Sequence, residues 1–274
     1  MSAFDFRVRF RTAEGLPELI PNIGEEFSLW LDYYNMRGRI SAIPEEEQIE
    51  LMVKAGIEAA VVTPPNMRAN EYVYKLTKRF PGKLFGFANA NALRGTRVAY
   101  DTLKKCYEEY GFYGLNLGPY MTGLPMGDAK NYPLYTLTES TGKIAIIHSS
   151  LHYLRTNPMD LGNPVHLDQI AMDFPTMKIV MCHAGSGFGL APLWMAQRHP
   201  TIYLEFSALG PKYIDKQVLM GMNGFLKKRI LWGSDYPLME FKQVEEWKNY
   251  LKPEVYPLFS RDNALALLAT AKPK

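Results

Sequence analysis

Short β-rich segments alternate with amphipathic stretches along the whole chain, and this alternation limits the folds that the sequence can adopt. After a first strand in Phe4–Arg11, the β-rich segments are GIEAAVVTPP, KLFGFANAN, FYGLNLGPY, KIAIIHSS, MKIVMCHAG, TIYLEFSALG and RILWGSDYP. Each ends in residues that favour turns. About eight βα units in 274 residues predict a parallel sheet closed into a (β/α)8 TIM barrel. An open, doubly wound sheet is the alternative, because periodicity does not show whether a sheet closes.

The sequence gives no sign of a domain boundary. It contains no low-complexity linker and no shift in composition, so we expect a single domain over residues 1–274, ending in the helical segment NALALLATA. Three longer insertions follow predicted strands, at Arg11–Pro44, Gly118–Asn131 and Ser149–Pro164. In a barrel these insertions gather at the C-terminal mouth, where active sites are built.

Charge and composition argue against several functional classes. The 31 Lys and Arg residues nearly balance 28 Asp and Glu residues and are scattered, unlike the basic stripe of a nucleic-acid-binding protein. No apolar run approaches the length of a membrane span or a signal peptide core. Cys106 and Cys182 lie far apart and are expected to be free thiols. We therefore expect a cytoplasmic protein that acts on a small molecule and that could form homo-oligomers, with no nucleic-acid or membrane partner.

Polar residues stand at the ends of the predicted strands, which converge in a closed barrel. A single histidine at such a place is more often structural than catalytic. Two histidines and an aspartate at the same level as two arginines instead favour a functional site. The residues are Arg7, Arg9, Asn116, His148, His183, Glu205, Ser207 and Asp235.

Four motifs resemble one enzyme superfamily. IIHSS, IVMCHAGSG, ILWGSDYP and RDNALALL are similar to the fifth, sixth and eighth strands and the closing helix of the amidohydrolase superfamily. The resemblance is to its amidohydrolase-2 branch, which includes aminocarboxymuconate-semialdehyde decarboxylase, resorcylate-type decarboxylases and 2-pyrone-4,6-dicarboxylate lactonase. It implies a (β/α)8 barrel that hydrolyses or decarboxylates small molecules. It also implies that His148 is a metal ligand, that His183 is catalytic or ligating, and that Asp235 is a ligand or a general base.

The first strand departs from the pattern of this family. In FDFRVRFR, the positions of the family's first-strand His-x-His are occupied by Arg7 and Arg9. A guanidinium has no lone pair to offer a metal. At about 4 Å and an effective dielectric near 20, each guanidinium would repel a divalent cation by roughly 8 kcal/mol. The resemblance implies zinc or manganese at His148, His183 and Asp235, but the arginines favour a site without a metal.

The alternation of side chains along this strand predicts which way it faces. Asp5, Arg7 and Arg9 share one face, and Phe6 and Val8 share the other. If the strand takes its family position, the arginines face the barrel mouth and the phenylalanines pack beneath the helices.

Alternation in the segment MKIVMCHAG likewise predicts that Cys182, next to His183, points away from the barrel interior. A cysteine nucleophile is therefore not expected.

The arginines suggest two roles. A pair of guanidinium groups can hold a carboxylate or an oxyanion, so Arg7 and Arg9 are candidate ligands of a small carboxylated substrate. Alternatively, either arginine could form a structural ion pair with Asp235. Further candidate substrate-binding residues, on or beyond the strand ends, are Asn116, Tyr120, His152 and Arg155.

Three functions are compatible with these residues. The leading hypothesis is a metal-independent, lactonase-type hydrolase in which Asp235 activates water while His183 or His148 polarises the reacting group. Its activity would follow a histidine titration near pH 6–7. The alternatives are a non-oxidative decarboxylase of a carboxylated aromatic or muconate-type substrate, and a catalytically inactive barrel that binds an anionic ligand.

Overall fold

The computed structural model describes residues 2–12, 24–33 and 35–271, so part of the first insertion lies outside the described residues. Eight strands form one sheet in chain order, and each is parallel to the next. This arrangement confirms the predicted (β/α)8 barrel. The strands are β1 Ala3–Val8, β2 Ile57–Val62, β3 Leu84–Asn89, β4 Gly114–Leu117, β5 Ile144–His148, β6 Lys178–Cys182, β7 Ile202–Glu205 and β8 Ile230–Leu231.

Backbone hydrogen bonds between β1 and the chain that follows β8 bring the two edges of the sheet together. The Phe6 amide donates to the Trp232 carbonyl oxygen at 2.9 Å, and the Asp235 amide donates to the Arg7 carbonyl oxygen at 2.9 Å. Further along, the Arg9 amide donates to the Tyr236 carbonyl oxygen at 3.0 Å. The sheet is therefore a nearly closed barrel, and the open-sheet alternative is wrong.

Helices follow the strands and cover the outside of the barrel. Glu45–Lys54 begins directly after Pro44, and three glutamates occupy its first turn, where they interact favourably with the helix dipole. The other α-helices are Gly24–Tyr33, Asn70–Arg79, Thr96–Glu108, Pro119–Thr122, Tyr132–Ser140, Leu167–Asp173, Ala191–Arg198, Lys216–Met222 and Asn263–Ala269. No helix within the described ranges has both the length and the apolar character needed to cross a bilayer.

Alternating residues of the strands divide the apolar core into two buried clusters. On β5, Ala145 and Ile147 belong to the cluster shared with the surrounding helices. Ile144 and Ile146 belong to a second cluster, which fills the barrel interior. This inner cluster also includes residues of the closing helix Asn263–Ala269. Because His148 continues the inward-facing series Ile144, Ile146, it lies at the C-terminal end of the barrel interior.

A register irregularity in β1 changes which of its residues face inward. Asp5 pairs with Ala60 and Val8 with Val62, so three steps along β1 match two along β2, as in a β-bulge. Phe6 belongs to the inner cluster, whereas Val8 belongs to the outer one. The expectation that the phenylalanines pack beneath the helices is therefore wrong for Phe6 and also for Phe4, which lies in the same inner cluster.

Candidate active site

Two of the candidate site residues just beyond the strands have a left-handed backbone. His183 follows β6 with φ of 56°, and Asp235 follows β8 with φ of 53°. This conformation costs a residue other than glycine about 1–3 kcal/mol and is often found at functional sites. The Asp235 amide is held by the Arg7 carbonyl oxygen at 2.9 Å. The turn at each position ends the regular alternation of side chains along the strand. Beyond the turn, residue spacing therefore does not predict whether a side chain points into or out of the barrel.

Arg7 and Arg9 both donate to one carboxylate oxygen. Arg7 Nε lies 3.0 Å and Arg9 Nη1 lies 2.6 Å from Asp235 Oδ1. The side chains of Arg7 and Asp235 are 3% and 5% exposed, and that of Arg9 is 14% exposed. Burial acts to raise the pKa of Asp235, but the nearby guanidinium groups outweigh it and lower the pKa to about 2. Asp235 is therefore ionised at neutral pH.

Arg7 is the more firmly fixed of the two arginines. Its Nη1 also donates to Asn116 Oδ1 at 3.3 Å, and the Asn116 side-chain amide in turn donates to the Pro64 carbonyl oxygen at 3.3 Å. Arg7 thus spans the barrel mouth from β8 to β4. Arg9 is more accessible, which leaves its guanidinium better placed to meet a ligand.

The hydrogen bonds of His183 define its tautomer. Its Nδ1 lies 3.0 Å from the Ser207 carbonyl oxygen, which can only accept, so Nδ1 carries the hydrogen and Nε2 has a free lone pair. Burial lowers the pKa of His183 to about 4. The ring of His148 lies 4.7 Å from that of His183, and burial together with the charges of His183 and Arg7 lowers the pKa of His148 well below its usual value. Both histidines are therefore neutral at pH 7.

Glu205 and Ser207 hold His183 in place from behind. The Ser207 hydroxyl donates to Glu205 Oε2 at 2.8 Å and lies 2.9 Å from His183 Nδ1. Glu205 also accepts the Ser207 amide at 2.8 Å. Burial raises the pKa of Glu205 to about 7, although Arg7 and the Ser207 hydroxyl act in the opposite direction. Both residues were located at the end of β7 from the sequence, but no role could be predicted for them. Their hydrogen bonds to His183 depend on the left-handed turn of the backbone at His183, which the sequence pattern does not show.

Asp5 is a third buried acid beside the site, and it was not selected as a site residue from the sequence. It accepts the amide of Arg7 at 3.0 Å and that of Ser234 at 2.9 Å, which ties β1 to the turn after β8. Burial raises its pKa to about 7. Asp5 thus supports the backbone on both sides of the ion pair between Arg7 and Asp235.

A cavity of about 510 Å³ opens above these residues. Five of the residues selected from the sequence line it, namely Arg7, Arg9, Asn116, Tyr120 and His148. His183 and Asp235 are not among the described residues that line the cavity. His183 lies behind His148, which its ring contacts, and Asp235 lies behind Arg7 and Arg9, to which it is hydrogen-bonded.

Aromatic rings stack along one wall of the cavity. The ring of Tyr120 lies 4.2 Å from that of His148 and 5.1 Å from that of His152, to which it is nearly parallel. His152 Nε2 lies 3.2 Å from the Pro158 carbonyl oxygen. His152 therefore supports the wall through Tyr120. Arg155 is exposed and is not among the described residues that line the cavity.

Cys182 does not point away from the barrel interior as the alternation predicts. It packs in the inner cluster with Val180 and Ile146. Its sulfur also lies within 4.8 Å of potential ligand atoms of His183 and Glu205. The left-handed turn at His183 explains the difference, because both neighbours can then face inward. Burial raises the pKa of the Cys182 thiol well above its usual value, so it is protonated at neutral pH.

Comparison with known proteins identifies the family. A family model described as an amidohydrolase matches residues 22–269. The chain belongs to the amidohydrolase family. The match begins after β1, so Arg7 and Arg9 lie outside it. No curated protein sequence matches this amidohydrolase.

Solved structures share the fold of this amidohydrolase over nearly its whole length. An uncharacterised TIM-barrel protein from Bordetella bronchiseptica is 24% identical, with a TM-score of 0.80 and 99% of each chain covered. A 2,6-dihydroxybenzoate decarboxylase from Rhizobium is 16% identical, with a TM-score of 0.74 and coverage of 98% and 99%. A dihydroxybenzoic acid decarboxylase from a Polaromonas species, solved with manganese and 2-nitroresorcinol, is 17% identical, with a TM-score of 0.71 and coverage of 98% and 97%.

The residues at the family's metal position do not fit a divalent ion in this arrangement. Asp235 Oδ1 already accepts from both Arg7 and Arg9. A cation bound to that oxygen would lie beside two permanent positive charges. His148, His183 and Asp235, the ligand set that the family resemblance implies, do not form a close group of donor atoms in the described part of the chain.

A different group does bring three donor atoms close together. Within the described ranges, ligand atoms of Cys182, His183 and Glu205 lie within 4.8 Å of one another. Thiolate, imidazole and carboxylate are ligands that zinc accepts. However, Glu205 already accepts hydrogen bonds from the amide and the hydroxyl of Ser207, and the charge of Arg7 acts on both Cys182 and Glu205. This group fits a metal poorly unless its hydrogen bonds rearrange.

Proposed function

We propose that this amidohydrolase is a non-oxidative decarboxylase of a small carboxylated aromatic or muconate-type substrate. The observation that carries the proposal is the convergence of Arg7 and Arg9 on a single oxygen of Asp235 at the base of the cavity. Two guanidinium groups bind a carboxylate strongly. The rings of Tyr120 and His148, tilted by 48° to each other, line the cavity beside them and can contact a planar substrate. The decarboxylases with this fold, one of them solved with 2,6-dihydroxybenzoate, are consistent with the proposal.

Substrate binding changes the acidity of Asp235. In the free protein, the arginines hold its pKa at about 2. A substrate carboxylate that takes over the hydrogen bonds of Arg9 removes part of this stabilisation and adds a negative charge nearby. Both effects raise the pKa of Asp235 and favour uptake of a proton. Asp235 can then act as the general acid that decarboxylation requires.

The proposed reaction transfers one proton and breaks one carbon–carbon bond. As Arg9 shifts its hydrogen bonds to the substrate carboxylate it uncovers Asp235, which then donates its proton to the substrate carbon that bears the carboxylate. The bond to that carboxylate then breaks, CO2 leaves, and the electron pair restores the conjugated system. His183 Nε2, with its free lone pair, can accept a hydrogen bond from a neighbouring hydroxyl group and increase the electron density at the carbon that is protonated.

Hydrolysis of a lactone or a related ester is the second candidate. It is favoured by the ionised Asp235 and by the neutral His183, since each could act as a base toward water in the free protein. In that reaction Arg7 and Arg9 would bind the developing oxyanion or a remote carboxylate. A third possibility, an inactive barrel that binds an anion, predicts ligand binding without turnover.

Product analysis distinguishes these functions. Purified protein is incubated with a panel of hydroxybenzoates, muconates and carboxylated lactones, and CO2 release and ring opening are measured in parallel. We expect CO2 release that depends on Asp235, with Asp235→Asn as the inactive control. Ring opening by net addition of water, without CO2, would instead support the hydrolase. Binding of these ligands without either product would support the inactive barrel.

A further inference from the structure

The end of β3 places a second asparagine in the cavity, next to Asn116. Phe87 belongs to the inner cluster and Phe85 packs against it, whereas Ala88 belongs to the outer cluster. Alternation along the strand therefore directs the Asn89 side chain into the barrel mouth, where Asn89 lines the cavity. Asn89 pairs with Asn116 of β4, and the register between the two strands has no irregularity. Two amide side chains thus lie on neighbouring strands at the same level of the cavity.

A buried asparagine fixes the backbone of Asn89. Asn70, at the start of the helix Asn70–Arg79, is 3% exposed. Its side-chain amide donates to the Asn89 carbonyl oxygen at 2.9 Å, and its Oδ1 accepts the Asn89 amide at 2.8 Å. Both backbone polar groups of Asn89 are therefore held by one side chain, and the Asn89 side chain projects into the cavity from a fixed position.

The side chain of Asn89 keeps its hydrogen-bonding capacity for a ligand. Among the residues of the described ranges, the Asn89 side-chain amide has no hydrogen-bond partner, because both of its bonds to Asn70 involve the backbone. Asn116 differs, since its Oδ1 accepts from Arg7 at 3.3 Å and its amide donates to the Pro64 carbonyl oxygen at 3.3 Å. Asn89 is thus the member of the pair that can bind a ligand without giving up an existing contact.

We propose that Asn89 is a specificity residue that binds a hydroxyl group of the substrate, remote from the reacting carboxylate. This inference rests on the proposed function, because it takes that carboxylate to lie at Arg9. A primary amide offers both a donor and an acceptor, and a hydroxyl group can bind to either. A second carboxylate can only accept, so the amide oxygen would repel it. The substrate is then a hydroxylated aromatic monocarboxylate.

The strand order sets where on the ring this hydroxyl group lies. Arg7 and Arg9 belong to or follow β1, and β3 is two strands away, which is about 10 Å along the sheet. A hydroxyl group ortho to the carboxylate lies too close to it to span that interval, and in the proposed reaction it meets His183 instead. The hydroxyl group that Asn89 binds is therefore meta or para to the carboxylate.

Ligands that differ by one hydroxyl group test this contact. Calorimetry measures the Kd of benzoate, salicylate, 3-hydroxybenzoate and 4-hydroxybenzoate for the wild type and for Asn89→Leu and Asn89→Ala. Leucine keeps the approximate size of asparagine without its polar atoms, and alanine adds no bulk. Asn249→Leu is the matched control, since Asn249 is exposed and is not among the described residues that line the cavity.

The hydroxyl preference is the expected result. We expect 3-hydroxybenzoate or 4-hydroxybenzoate to bind the wild type about 5-fold more tightly than benzoate, because one hydrogen bond is gained. Both Asn89 variants should remove this preference while changing benzoate affinity less than about 2-fold, which also shows that they are folded. The ratio of salicylate to benzoate affinity should not change, because an ortho hydroxyl group does not reach Asn89.

The outcomes separate this contact from the reaction. Equal affinity for benzoate, 3-hydroxybenzoate and 4-hydroxybenzoate in the wild type would overturn the inference. A preference that survives in the Asn89 variants, or that is lost equally in Asn249→Leu, would overturn it as well. The same ligands are then assayed for CO2 release. A preference that depends on Asn89 without CO2 release from any substrate would retain the contact and refute the decarboxylase, and CO2 release without a hydroxyl preference would do the reverse.

Discussion

Arg9 reaches across the seam between the first and last strands of the barrel and places Nη1 2.6 Å from Oδ1 of Asp235. The two residues are brought together by backbone hydrogen bonds that join β1 to the chain beyond β8. Arg7 donates to the same oxygen from the more buried side. The ion pair thus helps to close the barrel, and under the proposed function it is also an anion site in which a ligand carboxylate replaces that of Asp235.

Arg9→Gln should weaken binding of a carboxylate more than it weakens the fold. Arg9 is partly exposed, so we expect a loss of about 10-fold in benzoate affinity and less than about 1 kcal/mol in the free energy of unfolding. Calorimetry and urea unfolding measure the two. Arg7→Ala is the comparison: it removes buried contacts with Asp235 and Asn116 and should cost about 3 kcal/mol of stability as well. Unchanged benzoate affinity in Arg9→Gln would assign the arginines a purely structural role.

Asp235→Asn should separate binding from turnover. The variant keeps an oxygen that can accept from Arg7 and Arg9 but removes the negative charge that competes with a bound carboxylate. We expect benzoate to bind about 3–10-fold more tightly, while CO2 release falls by at least about 100-fold because the acid is lost. Calorimetry and a CO2 assay on the same preparation test both. Weaker binding in the variant would show that Asp235 orients the arginines instead of competing for them.

The course of the strands could be predicted from the sequence, but the direction of individual side chains at the site could not. Turn residues and amphipathic spacing gave the eight strands and their order. Phe6 and Cys182 follow the alternation of their own strands, but the alternation does not continue across the β-bulge after Phe6 or the left-handed turn after Cys182, so reading it back from Arg7 and from His183 gave the wrong direction. Both irregularities depend on how β1 and β6 meet their neighbours in the closed barrel, which local sequence does not encode. The roles of Glu205 and Ser207 were missed for the same reason.

The pH profile of activity should differ from that of an ordinary histidine. A histidine with its usual pKa would give a limb near pH 6–7, but burial lowers the pKa of His183 to about 4. We expect His183 to remain neutral down to about pH 5. The activity of the enzyme should fall near pH 4, where His183 is protonated. Measurement of kcat/KM from pH 3.5 to 9 tests this, with His183→Asn as the variant.

Glu205 supplies the control for that profile, because burial raises its pKa to about 7. A limb near pH 7 that persists in His183→Asn and disappears in Glu205→Gln would belong to Glu205. A limb near pH 6–7 that remains in Glu205→Gln and vanishes in His183→Asn would contradict the lowered pKa of His183.

Asp5→Asn should reduce the dependence of stability on pH. Burial raises the pKa of Asp5 from 3.8 to about 7, so between these values the folded protein holds a proton that the unfolded chain releases. Stability therefore falls as pH rises through this range. Asn retains one oxygen for the amides of Arg7 and Ser234. We expect the wild type to lose about 2 kcal/mol more than Asp5→Asn between pH 5 and 8 in urea unfolding. Identical pH slopes would show that Asp5 is ionised in the folded protein.

The metal content should be low, and it should depend on the two arginines. Wild-type protein expressed with added zinc or manganese is expected to carry far less than one equivalent, because Asp235 is already bound by two guanidinium groups. Chelator treatment should leave CO2 release intact. In the double variant Arg7→His/Arg9→His, two imidazoles replace these charges beside His148 and Asp235, and we expect metal uptake to rise toward one equivalent. Elemental analysis of both proteins makes the comparison.

A stoichiometric metal in the wild type would contradict this expectation, and two further variants would locate it. Loss of the metal in Asp235→Asn would place it at the family position, which would require the arginines to move away from the carboxylate. Loss in Cys182→Ala, with retention in Asp235→Asn, would place it at the group formed by Cys182, His183 and Glu205, whose donor atoms lie within 4.8 Å of one another. In that case Glu205 would have to give up the hydrogen bond that it accepts from the Ser207 hydroxyl. Binding of zinc would also release protons from Cys182 and Glu205, because metal ligands must be deprotonated. Zinc affinity at that group would therefore rise steeply with pH. If the site works without a metal, zinc content should stay low at every pH.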